Sequence, residues 1–191
     1  VLASSWLVRA LSQPLLAGPA GTRPGQLHHE LKVTSDVIVG TSSRGAEHIN
    51  EYLVMGKLGN GASSKVLLCI SAVDKKPYAV KKVRKSDVAA ALHREVAIMK
   101  TLSHPRIVQL HEVLHDEAQN QLYLVLEYMA GGEIMRTPTM DGLEPVAPAR
   151  LRPQLRDVLC GLHYLHSNHV LHRDIKPENL LMDAHARVKI S

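Results

Sequence analysis

The stretch from His172 to Leu181, His-Arg-Asp-Ile-Lys-Pro-Glu-Asn-Leu-Leu, constrains this chain more than any other. It sets an acid, Asp174, and an amide, Asn179, five residues apart, with Lys176 between them. Phosphoryl transfer needs two oxygen-bearing groups of different kinds. One is a carboxylate that orients an attacking hydroxyl and accepts its proton; the other is an oxygen donor that holds a magnesium ion against phosphates. Asp174 fits the first role and Asn179 the second. The neighbouring sequence frames them. Leu151, Leu155, Val158, Leu159, Leu162 and Leu165 recur at helical spacing before the loop, and Leu180–Met182 with Val188–Ile190 read as a short strand pair after it. Pro153 is comfortable only at a first helical position, which predicts that regular helix begins near Arg152 to Pro153.

Upstream, Tyr52–Leu58 and Lys65–Ala72 read as strands, with Gly59-Asn60-Gly61-Ala62-Ser63-Ser64 as the turn between them. A glycine turn between two strands is a hairpin rather than the strand-to-helix junction of a dinucleotide fold. It suits backbone N–H groups laid over phosphates, because glycine permits close approach. The next strand, Tyr78–Val83, carries two candidate phosphate-binding lysines. Side chains alternate along a strand, so Ala79, Lys81 and Val83 share one face while Val80 and Lys82 share the other. Ala79 is small enough to lie over an adenine ring, with Val66 completing that ceiling, so Lys81 is the candidate and Lys82 a solvated neighbour.

Asp87 to Leu102 carries apolar residues at Leu92, Val96, Met99 and Leu102, an amphipathic helix. Glu95 falls on or beside its buried stripe, where a carboxylate is costly without a partner, and Lys81 is the obvious one. Pairing with Arg94, Lys100 or Arg106 at the surface is the competing assignment. Ile107–Leu114 and Leu122–Leu126 read as two further strands, with Leu126 at the back of the pocket. The polar, glycine-containing run Glu127–Glu133 follows as a hinge whose backbone can meet an adenine edge. Glu133 can reach a ribose or a basic substrate residue. Residues 136 to 148 read as a loop.

Composition removes several classes of function. With 191 residues, 45% of them hydrophobic, the chain has the length and content of one globular domain or part of a larger one. The net charge of +5 is dispersed, which is no nucleic-acid footprint. No apolar run approaches the roughly 18 residues of a membrane span. Cys69 and Cys160 each lie among aliphatic residues and read as buried thiols in a reducing, cytoplasmic compartment. Residues 1–48 show no sustained period of 3.6 or 2 and read as a disordered leader. Their first 29 residues lack acids, a faint likeness to a transit peptide. His163, His166, His169 and His172 recur every third residue, but the last two leave the helix face, so a zinc assignment is not favoured.

Taken together, these residues resemble a eukaryotic Ser/Thr protein kinase domain from Asn50 to Ser191, and Lys176, two after the acid, distinguishes it from small-molecule phosphotransferases. The runs Ile49–Tyr52, Arg94–Leu102 and His111–Asp116 most resemble the calcium/calmodulin-dependent protein kinase kinase group and its plant and algal relatives, which phosphorylate the activation loops of AMP-activated-type kinases. The resemblance implies an α+β, bilobal fold: an N-lobe at 49–126 with a five-stranded antiparallel sheet and one helix, a hinge at 127–135, and a mainly helical, partial C-lobe at 136–191. It implies ATP and Mg2+ as cofactors and a protein Ser/Thr as substrate. Leu58, Gly59, Gly61, Val66, Ala79 and Leu181 would contact nucleotide, Lys81 the phosphates, and Glu95 would anchor Lys81. Glu127 and Met129 would present hinge backbone to adenine, with Glu133 beside it. Asp174 would be the base, Lys176 would meet the transferred phosphate and Asn179 would bind magnesium. Ser64 and Ser63 stand where the pattern has a third glycine and an aromatic. The pattern continues with Asp-Phe-Gly after Val188-Lys189-Ile190-Ser191, so the expectation is a kinase fragment with little phosphotransfer of its own. The competing expectation is a truncated, non-catalytic module that binds nucleotide weakly or acts through partners. Calmodulin is a possible partner that nothing in these residues supports.

Overall fold

The computed structural model describes residues 32–41, 45–60, 64–84, 96–135 and 148–191. They divide into two compact units, Val1–Ser103 with Gln109–Tyr128, and His104–Val108 with Met129–Ser191. Gly61, Glu95, the loop at 136–147 and the first part of the leader lie outside the described residues.

The first unit is built on one sheet of eight strands: β1 (Lys32–Thr34), β2 (Val39–Thr41), β3 (Glu47–Ile49), β4 (Tyr52–Asn60), β5 (Ser64–Ser71), β6 (Pro77–Arg84), β7 (Leu110–Asp116) and β8 (Gln121–Glu127). Their order is β1-β7-β8-β6-β5-β4-β3-β2. The five antiparallel strands expected from sequence are β4 to β8. The additional three come from residues 32–49, so the leader reading fails for 32–41 and 45–48. These residues lack a long apolar period because each strand is only three residues long, and β1 and β2 lie at the two sheet edges. β1 pairs parallel with β7, while β2 and β3 extend the opposite edge beyond β4.

That arrangement fixes the shape of the sheet. Thr34 and Val39 are five Cα steps apart, about 18 Å at full extension. Seven interstrand spacings in a flat sheet would hold β1 and β2 about 34 Å apart. The sheet therefore curls until its edges face each other. The hydroxyl of Tyr52 on β4 reaches the carboxylate of Glu112 on β7 at 2.7 Å.

Alternation, shifted by one residue in β7 where the register slips between Leu110 and Glu112, sorts side chains to the two faces. Tyr52, Leu67, Cys69, Val80, Leu114, Tyr123 and Val125 form one cluster, with Ile49. Leu110, Val113, Leu122 and Leu124 form the other, against Val96 and Met99 of helix α1, described over 96–101. Each fully buried aliphatic contributes about 1.5–3 kcal/mol of transfer free energy. Cys69 is wholly buried, and burial pushes its thiol up to about 12.

The second unit holds a three-stranded sheet, β11 (Val188–Ile190), β10 (Leu180–Met182) and β9 (Gly132–Glu133), with helix α2 (Pro148–Ser167). The strand pair after the loop occurs over the expected residues. The strand expected from Ile107 does not begin until Leu110, because Ile107 bridges in parallel to Ile190. Val108 N–H donates to Ile190 O at 2.9 Å and Ile190 N–H to Arg106 O at 2.9 Å. Helix α2 starts five residues before Pro153. Pro148 occupies the first position, where a missing N–H costs nothing, and Pro153 is inside the helix.

Helix α2 turns part of its leucine stripe outward. Gln154, Val158, Gly161 and Leu165 are buried, whereas Leu151, Leu155 and Leu159 are 48%, 54% and 56% exposed. Cys160 is exposed, contrary to the buried-thiol expectation, since it follows Leu159 on the outward side. Gly161 permits the close contact that seats the helix: a Cβ there would lie 2.9 Å from Arg106 O and 2.9 Å from Ile190 Cδ1. Gly161→Ala is expected to lose about 1–3 kcal/mol of stability through overpacking, measured by urea denaturation. Cys160→Ala, one residue away on the exposed side, should change it by less than about 0.5 kcal/mol.

Candidate active site

Beyond α2 the chain turns through His169, at φ 59, and reaches Arg173, at φ 63. Neither is glycine, so both sit in a left-handed region that L side chains occupy at a cost, and packing must hold them there. His172 supplies part of that hold. It is 4% exposed; its Nδ1 accepts the N–H of Asp174 at 3.3 Å, which leaves Nε2 to donate to Ser191 O at 3.0 Å. Burial keeps its pKa below the ordinary histidine value. The neutral ring therefore ties the loop to the end of β11.

A single 3-10 turn, Pro177–Asn179, follows, opened by proline at its first position. It swings Asn179 back over Asp174. Asn179 is fully buried, and its Nδ2 donates to Asp174 O at 2.6 Å and to Asp174 Oδ2 at 3.0 Å. Lys176 Nζ lies 2.9 Å from the same Oδ2. Asp174, Lys176 and Asn179 are thus brought together, as their spacing predicts. One lone pair set is left over: Asn179 Oδ1 is buried and accepts no hydrogen bond. A buried amide oxygen without a donor, beside a carboxylate, is the kind of hard ligand that a magnesium ion takes.

β9 and β10 carry two more of the predicted residues side by side, since Glu133 is the cross-strand partner of Leu181. Met129 is buried, and its carbonyl accepts Gly132 N–H at 3.0 Å, which closes the turn into β9. Gly131 donates to Met182 O at 2.9 Å, and a Cβ on it would meet Met182 Cβ at 2.7 Å, so glycine is needed at that crossing.

In the first unit, Val66, Ala79 and Lys81 share a sheet face, as alternation requires: Val66 pairs with Lys81, and Ala79 with Leu126. Lys81 is 7% exposed. Its expected partner, Glu95, and the glycine-turn residue Gly61 lie outside the described residues. Lys82 is not simply solvated; its ammonium sits 5.5 Å from the centre of the Tyr123 ring. Gly59 pairs with Val66 in β4, and the register slips between Lys57 and Gly59, so Leu58 is an unpaired bulge residue, 40% exposed. Glu127 ends β8, donating its N–H to Gln109 O at 2.9 Å and accepting Gln109 N–H on Oε2 at 3.3 Å.

Sequence reasoning offered Arg106 only as a surface partner of Glu95 and passed over Asp157. Arg106 Nε meets Asp157 at 2.7 Å, and the other Asp157 oxygen accepts Val188 N–H at 2.9 Å, which locks α2 to β11 beneath the loop. Their separation in sequence gave no local signal.

The protein kinase domain profile matches residues 52–191, which include the 172–181 loop. The chain belongs to the protein kinase family. Its relatives include Ser/Thr kinases. It is 40% identical to serine/threonine-protein kinase GRIK1 of Arabidopsis thaliana over 84% of this chain and 43% of that protein. It is 39% identical to ssp1 of Schizosaccharomyces pombe over 77% of this chain and 24% of that one. A calcium/calmodulin-dependent protein kinase kinase of Caenorhabditis elegans is 35% identical over 75% of this chain and 31% of its own length. The chain thus spans less than half the length of these relatives. Among the described residues no helix is long and apolar enough to cross a membrane.

The burial of His172 has a measurable consequence, shared by His104, whose pKa is also lowered first by burial. As pH falls below about 6.5 the unfolded chain takes up protons that the folded chain resists. Stability is therefore lost on acidification and regained as pH rises through that range. The thermal midpoint should fall between about pH 7.5 and about pH 5.5, and His172→Gln should flatten the dependence while lowering the midpoint at neutral pH.

Proposed function

We propose that this chain carries the ATP-binding and catalytic-loop portion of a Ser/Thr protein kinase that transfers the γ-phosphoryl group of ATP to a protein hydroxyl. The observation that carries the reading is the loop itself, where Asp174, Lys176 and Asn179 converge within 3.0 Å and leave Asn179 Oδ1 without a donor. Magnesium, when bound, neutralises charge on the phosphates. Asn179 is the residue here that would hold it.

Asp174 orients the substrate hydroxyl and accepts its proton. Lys176, whose ammonium lies 2.9 Å from the same carboxylate, meets the transferred phosphoryl group. Lys81 binds the nucleotide phosphates, with Glu95 as its anchor. Leu58, Gly59, Gly61, Val66 and Ala79 are the nucleotide contacts offered by the first unit, and Leu181, with Glu133 beside it, the contact offered by the second. Glu127 and Met129 offer main-chain groups to the adenine edge. The resemblance to the calmodulin-dependent kinase kinase group supports a substrate that is itself a kinase of the AMP-activated type, phosphorylated on its activation loop.

Calorimetric titration with ATP and magnesium, and phosphotransfer to a protein substrate by the full gene product, test this. Lys81→Ala should weaken ATP binding by about tenfold or more, the loss of one charge-assisted contact. Asp174→Ala should leave ATP affinity within about twofold and lower phosphotransfer by about 10²–10⁴. A folded chain that binds no nucleotide would overturn the assignment.

A further inference from the structure

Glu112 is 3% exposed on the curled sheet, a buried carboxylate that needs donors. It has three. Tyr52 Oη donates to Oε2 at 2.7 Å, Thr34 Oγ1 donates to Oε1 at 2.7 Å, and Lys32 Nζ lies 3.1 Å from Oε1. Two of the three come from β1. Lys32 also lies 3.6 Å from Glu51. The far end of this segment is tied separately: β2 pairs with β3, Asn50 Oδ1 accepts Ile38 N–H at 2.7 Å, Ile38 O accepts Asn50 N–H at 2.8 Å and Asn50 Nδ2 donates to Asp36 O at 3.3 Å. Val37 packs on the cluster around Tyr52 between them. β1 itself is a weak strand: three residues long, at an edge, with Val33 52% exposed and the Lys32 side chain 60% exposed. Segments of this kind open locally at low free-energy cost.

We propose that residues 32–41 form a latch gated by charge on Thr34, and that the Thr34 hydroxyl is its phospho-acceptor: a phosphoryl group on Oγ1 releases β1 from β7. The chemistry is ordinary transfer from a nucleoside triphosphate by a protein kinase. The bond from Oγ1 to the γ-phosphorus forms as the γ-phosphorus–bridging-oxygen bond breaks, the hydroxyl proton passes to that enzyme's base, and the nucleoside diphosphate leaves. The esterified oxygen can no longer donate to Glu112, and the group brings about 1.5 to 2 negative charges against a buried carboxylate. Lys32, with one positive charge, cannot neutralise both. Release leaves the backbone of Glu112–Leu114 as a free sheet edge.

Amide hydrogen exchange on the whole chain tests the latch, comparing wild type, chain carrying phosphothreonine at Thr34, Thr34→Asp, Thr34→Val, Glu112→Gln and Thr34→Asp/Glu112→Gln. The phosphorylated and Thr34→Asp chains should exchange at least about tenfold faster at residues 32–41 and at the β7 edge, with β5, β6 and β8 still protected. Thr34→Val, which loses the hydrogen bond without adding charge, should show a much smaller change, and the double substitution should recover most of the protection. The proposal is overturned by wild-type protection in the phosphorylated chain, or by equal loss in Thr34→Val. If Thr34→Asp fails to fold, recovery in the double variant supports the charge gate; a double variant that stays unfolded while Glu112→Gln folds overturns it.

Discussion

The side-chain amide of Asn179 holds the second unit's chemistry in place. Its two N–H groups are spent on one residue, Asp174, at the main-chain carbonyl and the carboxylate. Rotation of that amide is therefore blocked at both ends, and its oxygen faces a direction in which it meets no donor. The left-handed Arg173 is tolerated because the residues on either side of it are tied down, His172 to Ser191 O and Asp174 to Asn179. Strain of this sort persists only where the surroundings over-determine the backbone. Buried polar groups with complete hydrogen bonding specify a single arrangement, and in this network the Asn179 oxygen is left without a donor.

Curling plays the corresponding role in the first unit. Five antiparallel strands place Val66, Ala79 and Lys81 on one face, but a five-stranded sheet leaves two edges. Residues 32–49 supply a strand to each of them, and the short link between β1 and β2 draws the edges together. Glu112 sits where they meet. Its three donors come from sequence positions 32, 34 and 52, so the strand that leads towards the glycine turn and the strand that closes the sheet share one buried anion.

Much of this was legible beforehand. Alternation alone separates Lys81 from Lys82, because a strand's period of two leaves no freedom about which side chains share a face. The strand pair 180–182 and 188–190 was legible for the same reason. The three residues of the loop were legible from spacing alone, since i, i+2 and i+5 around a single 3-10 turn must lie close together. The failures have a common cause. β1 is parallel to a strand about eighty residues away, and a three-residue strand has too few side chains to show a period. Ile107 reads as the start of a strand by its apolar neighbours, but its backbone pairs with Ile190 instead. In α2 the helical spacing was legible, but not which side is buried: that face carries Gln154 and Gly161 with Val158 and Leu165.

The sequence by itself determined what depends on neighbours within a few residues: strand alternation, the helical period before the loop, and the chemical identity and spacing of Asp174, Lys176 and Asn179. Tertiary structure alone decided which edge each short strand joins, which side of α2 is buried, and that the Asn179 amide presents its oxygen unbonded. These depend on pairings between distant segments, where local propensity is nearly neutral and the outcome is set by which polar groups must be satisfied once apolar surface is buried.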